Sequence, residues 1–146
     1  GPAQRVARYA LDVADRERVQ AVMAQAEREF GSPDVVICMA GYGGTQRFVD
    51  IGHAEFDRMM QVNLYGTRHV IEAVLPGMRT RGGGHVVNIS SMTGLVANPP
   101  NVYYSSSKFA LEGLTQVLAD ETDTLTKIRV NSVNPSKVRT AMRAKA

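Results

Sequence analysis

The chain has 146 residues, enough for one domain with a sizeable core, and its 44% hydrophobic share is that of an ordinary globular protein. The net charge is +3, but acids and bases alternate along most of the chain and only the closing stretch KVRTAMRAKA is plainly basic. Neither a nucleic-acid patch nor a membrane-binding face is therefore expected. No apolar run approaches the ~18 residues of a membrane span, a single cysteine (Cys38) excludes an internal disulfide, and His53, His69 and His85 are too scattered to form a metal cluster. With no signal peptide opening the chain, this suits a reducing, cytoplasmic setting. Gly1-Pro2 reads as the scar of a removed tag, and the NIS pattern at 88–90 is discounted as a glycosylation acceptor.

In chain order, RVARYALDV (5–13) reads as a first strand ending in Asp12-Val13. Asp15 then caps a helix on which Val19, Val22, Met23, Ala26 and Phe30 recur at helical spacing, and Gly31 and Pro33 stop it. DVVICMAG (34–41) is a short apolar run closed by glycine, the pattern of a parallel strand buried on both faces. After a loop comes a long helix over 53–78, carrying Phe56, Met59, Met60, Leu64, Val70, Ile71 and Val74. RTRGGG is a turn, HVVNISS (85–91) a third strand, 103–124 a helix, and IRVNSVN (128–134) a fourth strand. The alternation β-α-β-α-β-α-β predicts an α/β fold: an open parallel sheet with helices on both faces, in a single domain over 1–146.

One helix carries a pattern with chemistry in it. In VYYSSSKFALEG (102–113), Tyr104 and Lys108 stand four residues apart, on one helical face, whereas Tyr103 pairs with Ser107. An ammonium beside a phenol lowers the phenol pKa from about 10 toward neutrality and makes Tyr104 a candidate general acid/base. Alone, the same spacing describes a surface pair. In open parallel sheets, however, ligands bind beyond the carboxyl ends of the strands. There the sequence gathers Asp12-Val13, Ala40-Gly41, Ser90-Ser91 and Asn134-Pro135, with Tyr104 and Lys108 opening the helix after the third strand.

The segments LDV, AG after the second strand, NLYG, VVNISSMTG, YYSSSK and RVNSVNPSKVRT occur in an order and spacing that resembles the short-chain dehydrogenase/reductase family, of the classical type, over essentially the whole chain. The resemblance implies a partial Rossmann-like fold, with strands equivalent to the family's third to sixth. It also implies NAD(P)-dependent hydride transfer between a carbonyl and an alcohol, with NAD or NADP as cofactor and a small-molecule carbonyl or alcohol as substrate. By that resemblance Tyr104 is the catalytic acid/base, Lys108 lowers its pKa and binds the nicotinamide ribose, Ser91 polarises the substrate carbonyl, and Asn63 belongs to a water-linked proton relay. Asp12 and Val13 would meet the adenine and Ala40-Gly41 the adenosine ribose. Pro135 is placed with the cofactor-binding residues, Val138 at the nicotinamide carboxamide, and Thr140 near it. The resemblance further implies a homodimer or higher assembly through helices 53–78 and 103–124.

The chain also departs from the family pattern. Cys38-Met39 stands where asparagine is usual before Ala-Gly, and Ser136 where glycine follows the proline. The strand, glycine-rich turn and helix that hold a dinucleotide pyrophosphate have no counterpart in the sequence, and neither does the last strand with its substrate-binding segment. The chain is thus expected to be a truncated domain whose own activity is in doubt. The alternative is a folded but inactive fragment, or an engineered or shuffled piece, without cofactor binding. Segments 5–13 and 34–41 are then expected to pair directly or to complete the sheet through another copy, since unpaired apolar edges are costly.

Overall fold

A computed structural model of the chain describes residues 5–123 and 126–135. Its sheet has three parallel strands in the order β1-β2-β3: β1 is Val35–Cys38, β2 is Gly84–Ile89 and β3 is Ile128–Val133. Parallel neighbours need long crossovers, and each is helical. Between β1 and β2 run α2 (His53–Met60), a π-helical turn (Gln61–Gly66) and α3 (Thr67–Arg81) without interruption. Between β2 and β3 runs α4 (Val102–Asp123), and α1 (Arg16–Phe30) precedes β1.

The ends of α1 follow from its sequence. The Asp15 carboxylate accepts the Arg18 N–H at 3.0 Å, satisfying one of the free donors of the first turn, and Gly31 closes the helix. Of its apolar positions Val19 and Val22 are buried, whereas Phe30 is exposed, with the Arg5 guanidinium 4.7 Å above its ring. The register aligns Val36 with Val86 and Val130, and these residues form the floor of the core together with Cys38 and Ile128. Ile71, Val74 and Met78 of α3 pack onto that floor, flanked by Met23 of α1 and by Leu114 and Leu118 of α4. Each side chain buried this way contributes about 1.5–3 kcal/mol.

The open parallel sheet expected from the sequence is present, with two differences. Residues 5–13 form no strand, so the described sheet has three strands rather than four, and this segment neither pairs with β1 nor extends the sheet. It lies instead against the end of α1: the Tyr9 hydroxyl donates to Glu29 Oε2 at 2.8 Å and Arg5 to the Glu29 carbonyl at 3.1 Å. An apolar, β-prone stretch becomes a strand only where a neighbour takes up its backbone groups, and none lies alongside it among the described residues. Second, α1, α3 and α4 all pack on the Val36–Val86–Val130 face, where two covered faces were expected. On the opposite face Val35 and Ile37 are 54% and 58% exposed. A short unbroken apolar run does not by itself separate a strand covered on one face from one covered on both.

Two close approaches tie the strand ends to the helices. A Cβ on Gly66, the last residue of the π-helical turn, would fall 2.5 Å from Val13 Cγ2, so the absent side chain is what lets Val13 dock there. Likewise Gly94, in the short turn after Ser91, sits against the Lys108 backbone, where a Cβ would come within 2.9 Å of the carbonyl oxygen.

Candidate active site

The carboxyl ends of β1 and β2, the π-helical turn and the first two turns of α4 meet at one place. Asn63, with no exposed surface, holds them together. Its Oδ1 accepts the Tyr42 N–H at 2.9 Å, while its Nδ2 donates to the Tyr42 carbonyl at 2.8 Å and to Ser107 Oγ at 3.0 Å. The carboxamide thereby clamps the loop after β1 onto α4. A poor helix former inside a long helix marks this point in the sequence, and the π-helical turn, one residue wider than an α-turn, is the backbone form it takes.

Lys108 is 5% exposed, and its ammonium donates to the Ile89 carbonyl at 2.8 Å at the end of β2. Burial pushes its pKa down to about 8, with the Glu112 carboxylate acting in the opposite direction. Nζ lies 5.8 Å from the centre of the Tyr104 ring. Tyr104 differs from the sequence expectation. Its pKa is raised above 10 rather than brought toward neutrality, because burial outweighs the opposing influence of the Ser91 hydroxyl. The lysine charge is directed to the Ile89 carbonyl, a choice of partner that sequence spacing does not reveal. Ser91 caps the short turn Met92–Gly94, accepting from Thr93 Oγ1 at 3.0 Å and Thr93 N at 3.3 Å, so its own hydrogen stays available for donation. Tyr103 is the structural tyrosine of the pair: it stacks on Phe48 and packs on Phe56, with ring centres 5.7 and 4.6 Å away.

The remaining expected site residues fall in two groups. Gly41 belongs with the centre, since a Cβ there would lie 3.2 Å from Asn63 Oδ1 and 3.8 Å from Lys108 Nζ. Ala40 precedes it, exposed, and Pro135 is exposed just past β3. Asp12 and Val13 are tied to the long helix instead. The Asp12 carboxylate accepts the Ala14 N–H and pairs with Arg58 at 2.7 Å, two contacts that hold its pKa below the usual range. The Val13 carbonyl lies 3.0 Å from His69 Nδ1. Val138 and Thr140, like Ser136, lie outside the described residues.

Sequence reasoning did not anticipate the polar layer beneath α4. Asn88 Nδ2 donates to Thr115 Oγ1 at 2.9 Å, and Ser132 Oγ donates to Glu112 Oε2 at 2.8 Å. The available signal was the recurrence of polar residues at inward strand positions, Asn88 beside Ser132 in the register. A cavity of about 450 Å3 borders the first turn of α4, its walls formed largely by Phe48, Ala97, Pro99, Pro100 and Val102. Among the described residues no group of histidine, cysteine and carboxylate side chains could hold a metal ion, and no helix is long and apolar enough to cross a membrane.

Parallel strands, a lysine one turn beyond a tyrosine on the helix entering the last of them, and a serine hydroxyl beside that tyrosine are the layout of one enzyme family. The chain belongs to the short chain dehydrogenases, whose profile matches residues 2–146. Among its relatives, an uncharacterised oxidoreductase of Schizosaccharomyces pombe is 37% identical over 131 residues, covering 89% of this chain and 45% of the relative. An oxidoreductase of Botryotinia fuckeliana is 36% identical, over 94% of this chain and 50% of its own length. Among solved structures, a short-chain dehydrogenase from Streptomyces avermitilis superposes with a TM-score of 0.86 at 36% identity, over 92% of this chain and 49% of that one. The NADP-bound structure of ElxO superposes with a TM-score of 0.87 at 32% identity, over 94% and 56%. The chain thus spans about half the length of the relatives it matches.

Proposed function

We propose that this chain carries the proton-transfer centre of an NAD(P)-dependent oxidoreductase that interconverts a carbonyl and an alcohol. The observation behind this reading is the convergence of Tyr104, Lys108 and the Ser91 hydroxyl at the carboxyl ends of β1 and β2. The nicotinamide, when bound, supplies or accepts the hydride; position and protons come from the protein. Ser91 donates a hydrogen bond to the substrate oxygen, where negative charge grows in reduction, and Tyr104 delivers the proton. Lys108 has N–H groups beyond the one given to Ile89, available for a ribose hydroxyl, and the glycine at position 41 leaves room for a ligand close to that ammonium. Asn63 acts as the clamp that fixes the loop carrying Gly41. In favour of a dinucleotide is the binding of NADP by ElxO. The half of the dinucleotide that these residues fit is the nicotinamide ribose; the described residues include no glycine-rich turn opening a helix for the pyrophosphate.

The test is carbonyl-dependent oxidation of NADPH or NADH across a panel of aldehydes and ketones. Lys108→Met should lose at least about 10²-fold in rate. A protein that oxidises neither cofactor with any carbonyl would sink the reading.

A homodimer through the long helices belongs to the same proposal. Met59, Ile71 and Leu111 are consumed by the chain's own core, which leaves an outward set of Phe109 and Val117 on α4, two turns apart, with Tyr65 exposed on the π-helical turn. Val117→Glu should convert a dimer into a monomer by light scattering without loss of helical signal. A wild-type mass equal to one chain would remove this part of the proposal.

A further inference from the structure

We infer that Glu112 is a positioning residue for the Tyr104–Lys108 pair: its buried carboxylate, held by Ser132 of β3, is the countercharge that keeps the Lys108 ammonium protonated beneath Tyr104. The inference rests on the reading of Tyr104 and Lys108 given above, and it concerns a residue to which that reading assigns no part.

On α4, residues 104, 108 and 112 occupy one face at successive turns. Lys108 and Glu112 are 5% and 6% exposed, and Glu112 is the one acid in the buried set among the described residues. A cation so enclosed requires an opposite charge, because a carbonyl dipole such as that of Ile89 solvates it without neutralising it. Glu112 is built to be that charge. Its Oε2 is fixed by the Ser132 hydroxyl at 2.8 Å, and its Oε1 is buried with no hydrogen-bond partner among the described residues, leaving it free for a water that bridges to the ammonium.

The other groups facing this layer carry no charge to compete. Asn63 of the π-helical turn, Asn88 of β2, Ser90 just past that strand, and Ser132 of β3 are neutral. The Cys38 thiol of β1 is pushed up to about 12 by burial and stays protonated. From α4 itself come Tyr104, protonated at neutral pH, and the neutral Ser107 and Thr115. The signs are therefore definite. Burial lowers the Lys108 pKa and Glu112 raises it, for a net value of about 8. Removing the carboxylate takes away the raising influence, so the lysine loses its proton at a lower pH. With it goes the ammonium that this reading offers to the ribose hydroxyl.

The experiment reads the lysine directly and needs no turnover. The sequence contains four lysines, so protein labelled with carbon-13 lysine gives four side-chain signals, with Lys108→Arg identifying the relevant one. The wild-type signal should titrate near pH 8, and Glu112→Gln should lower its midpoint by about one unit or more. Ser132→Ala, which keeps the charge and loosens its anchor, should shift the midpoint less. An unchanged midpoint in folded Glu112→Gln overturns the inference. Should that variant fail to fold, the wild type decides: the Glu112 carboxyl carbon must register the Lys108 deprotonation at the same midpoint, and a flat signal there overturns the inference as well. Failure of the nicotinamide reading would look different, as an absence of carbonyl-dependent oxidation with this titration intact.

Discussion

Tyr104→Phe should reduce carbonyl turnover by at least about 10²-fold, the lower range for removing a general acid, while leaving the unfolding transition unchanged. The substitution keeps the ring, and with it the packing and the 5.8 Å approach of the Lys108 ammonium to the ring centre. Only the hydroxyl beside Ser91 is lost. The raised pKa of this phenol also gives the reaction a direction. At neutral pH Tyr104 holds its proton, which is the form that serves carbonyl reduction; alcohol oxidation needs the phenolate and should therefore gain as the pH rises. Parallel assays of the two directions from neutral to alkaline pH would check this. Near-normal turnover in the variant would remove Tyr104 from the mechanism.

Asn63→Ala should be among the most destabilising single changes in the molecule, costing about 2–4 kcal/mol. The side chain is fully buried and makes three hydrogen bonds, two to the backbone of Tyr42 and one to Ser107. Alanine leaves the Tyr42 N–H and carbonyl without those partners and opens a void between the π-helical turn and α4. Asn63→Asp should fall between alanine and wild type, since it keeps the acceptor for Tyr42 N–H and loses both donors. The midpoint of urea unfolding measures the loss, and a cost below about 1 kcal/mol would mean that the clamp is not closed in solution.

Residues with local causes were legible from the sequence. Asp15 and Gly31 bound α1 because capping is decided within a few positions, and β2 and β3 announce themselves as apolar runs between turns. The candidate site was legible as a set: Tyr104, Lys108 and Ser91 converge where strand ends in an α/β sheet must meet. Less accessible was whatever depends on a neighbour. Residues 5–13 have the composition of a strand, yet pairing is a property of two segments, and here the segment rests on α1 through Arg5 and Tyr9. The single covered face of β1 is hidden in the same way, because Val35 and Ile37 look no different from Val36 in a row of apolar letters. The Tyr104 pKa went the other way from the spacing argument because burial and the direction of the Lys108 side chain are tertiary facts. Glu112 was visible as the residue four beyond Lys108, but that spacing alone describes a solvent-facing pair equally well.

The π-helical turn has a consequence for how this gene can change. A π-turn accommodates one residue more than an α-turn, so deleting any single codon within 61–66 would let the segment relax into an unbroken α-helix with a better hydrogen-bond ladder. Because the extra residue is taken up within one widened turn, the same deletion would leave α2 and α3 in nearly their present phase. Ile71, Val74 and Met78 would keep their places on the sheet, while Asn63, inside the turn, would be drawn away from Tyr42 or Ser107. A deletion that improves the local backbone would thus undo the clamp that the widened turn holds in place.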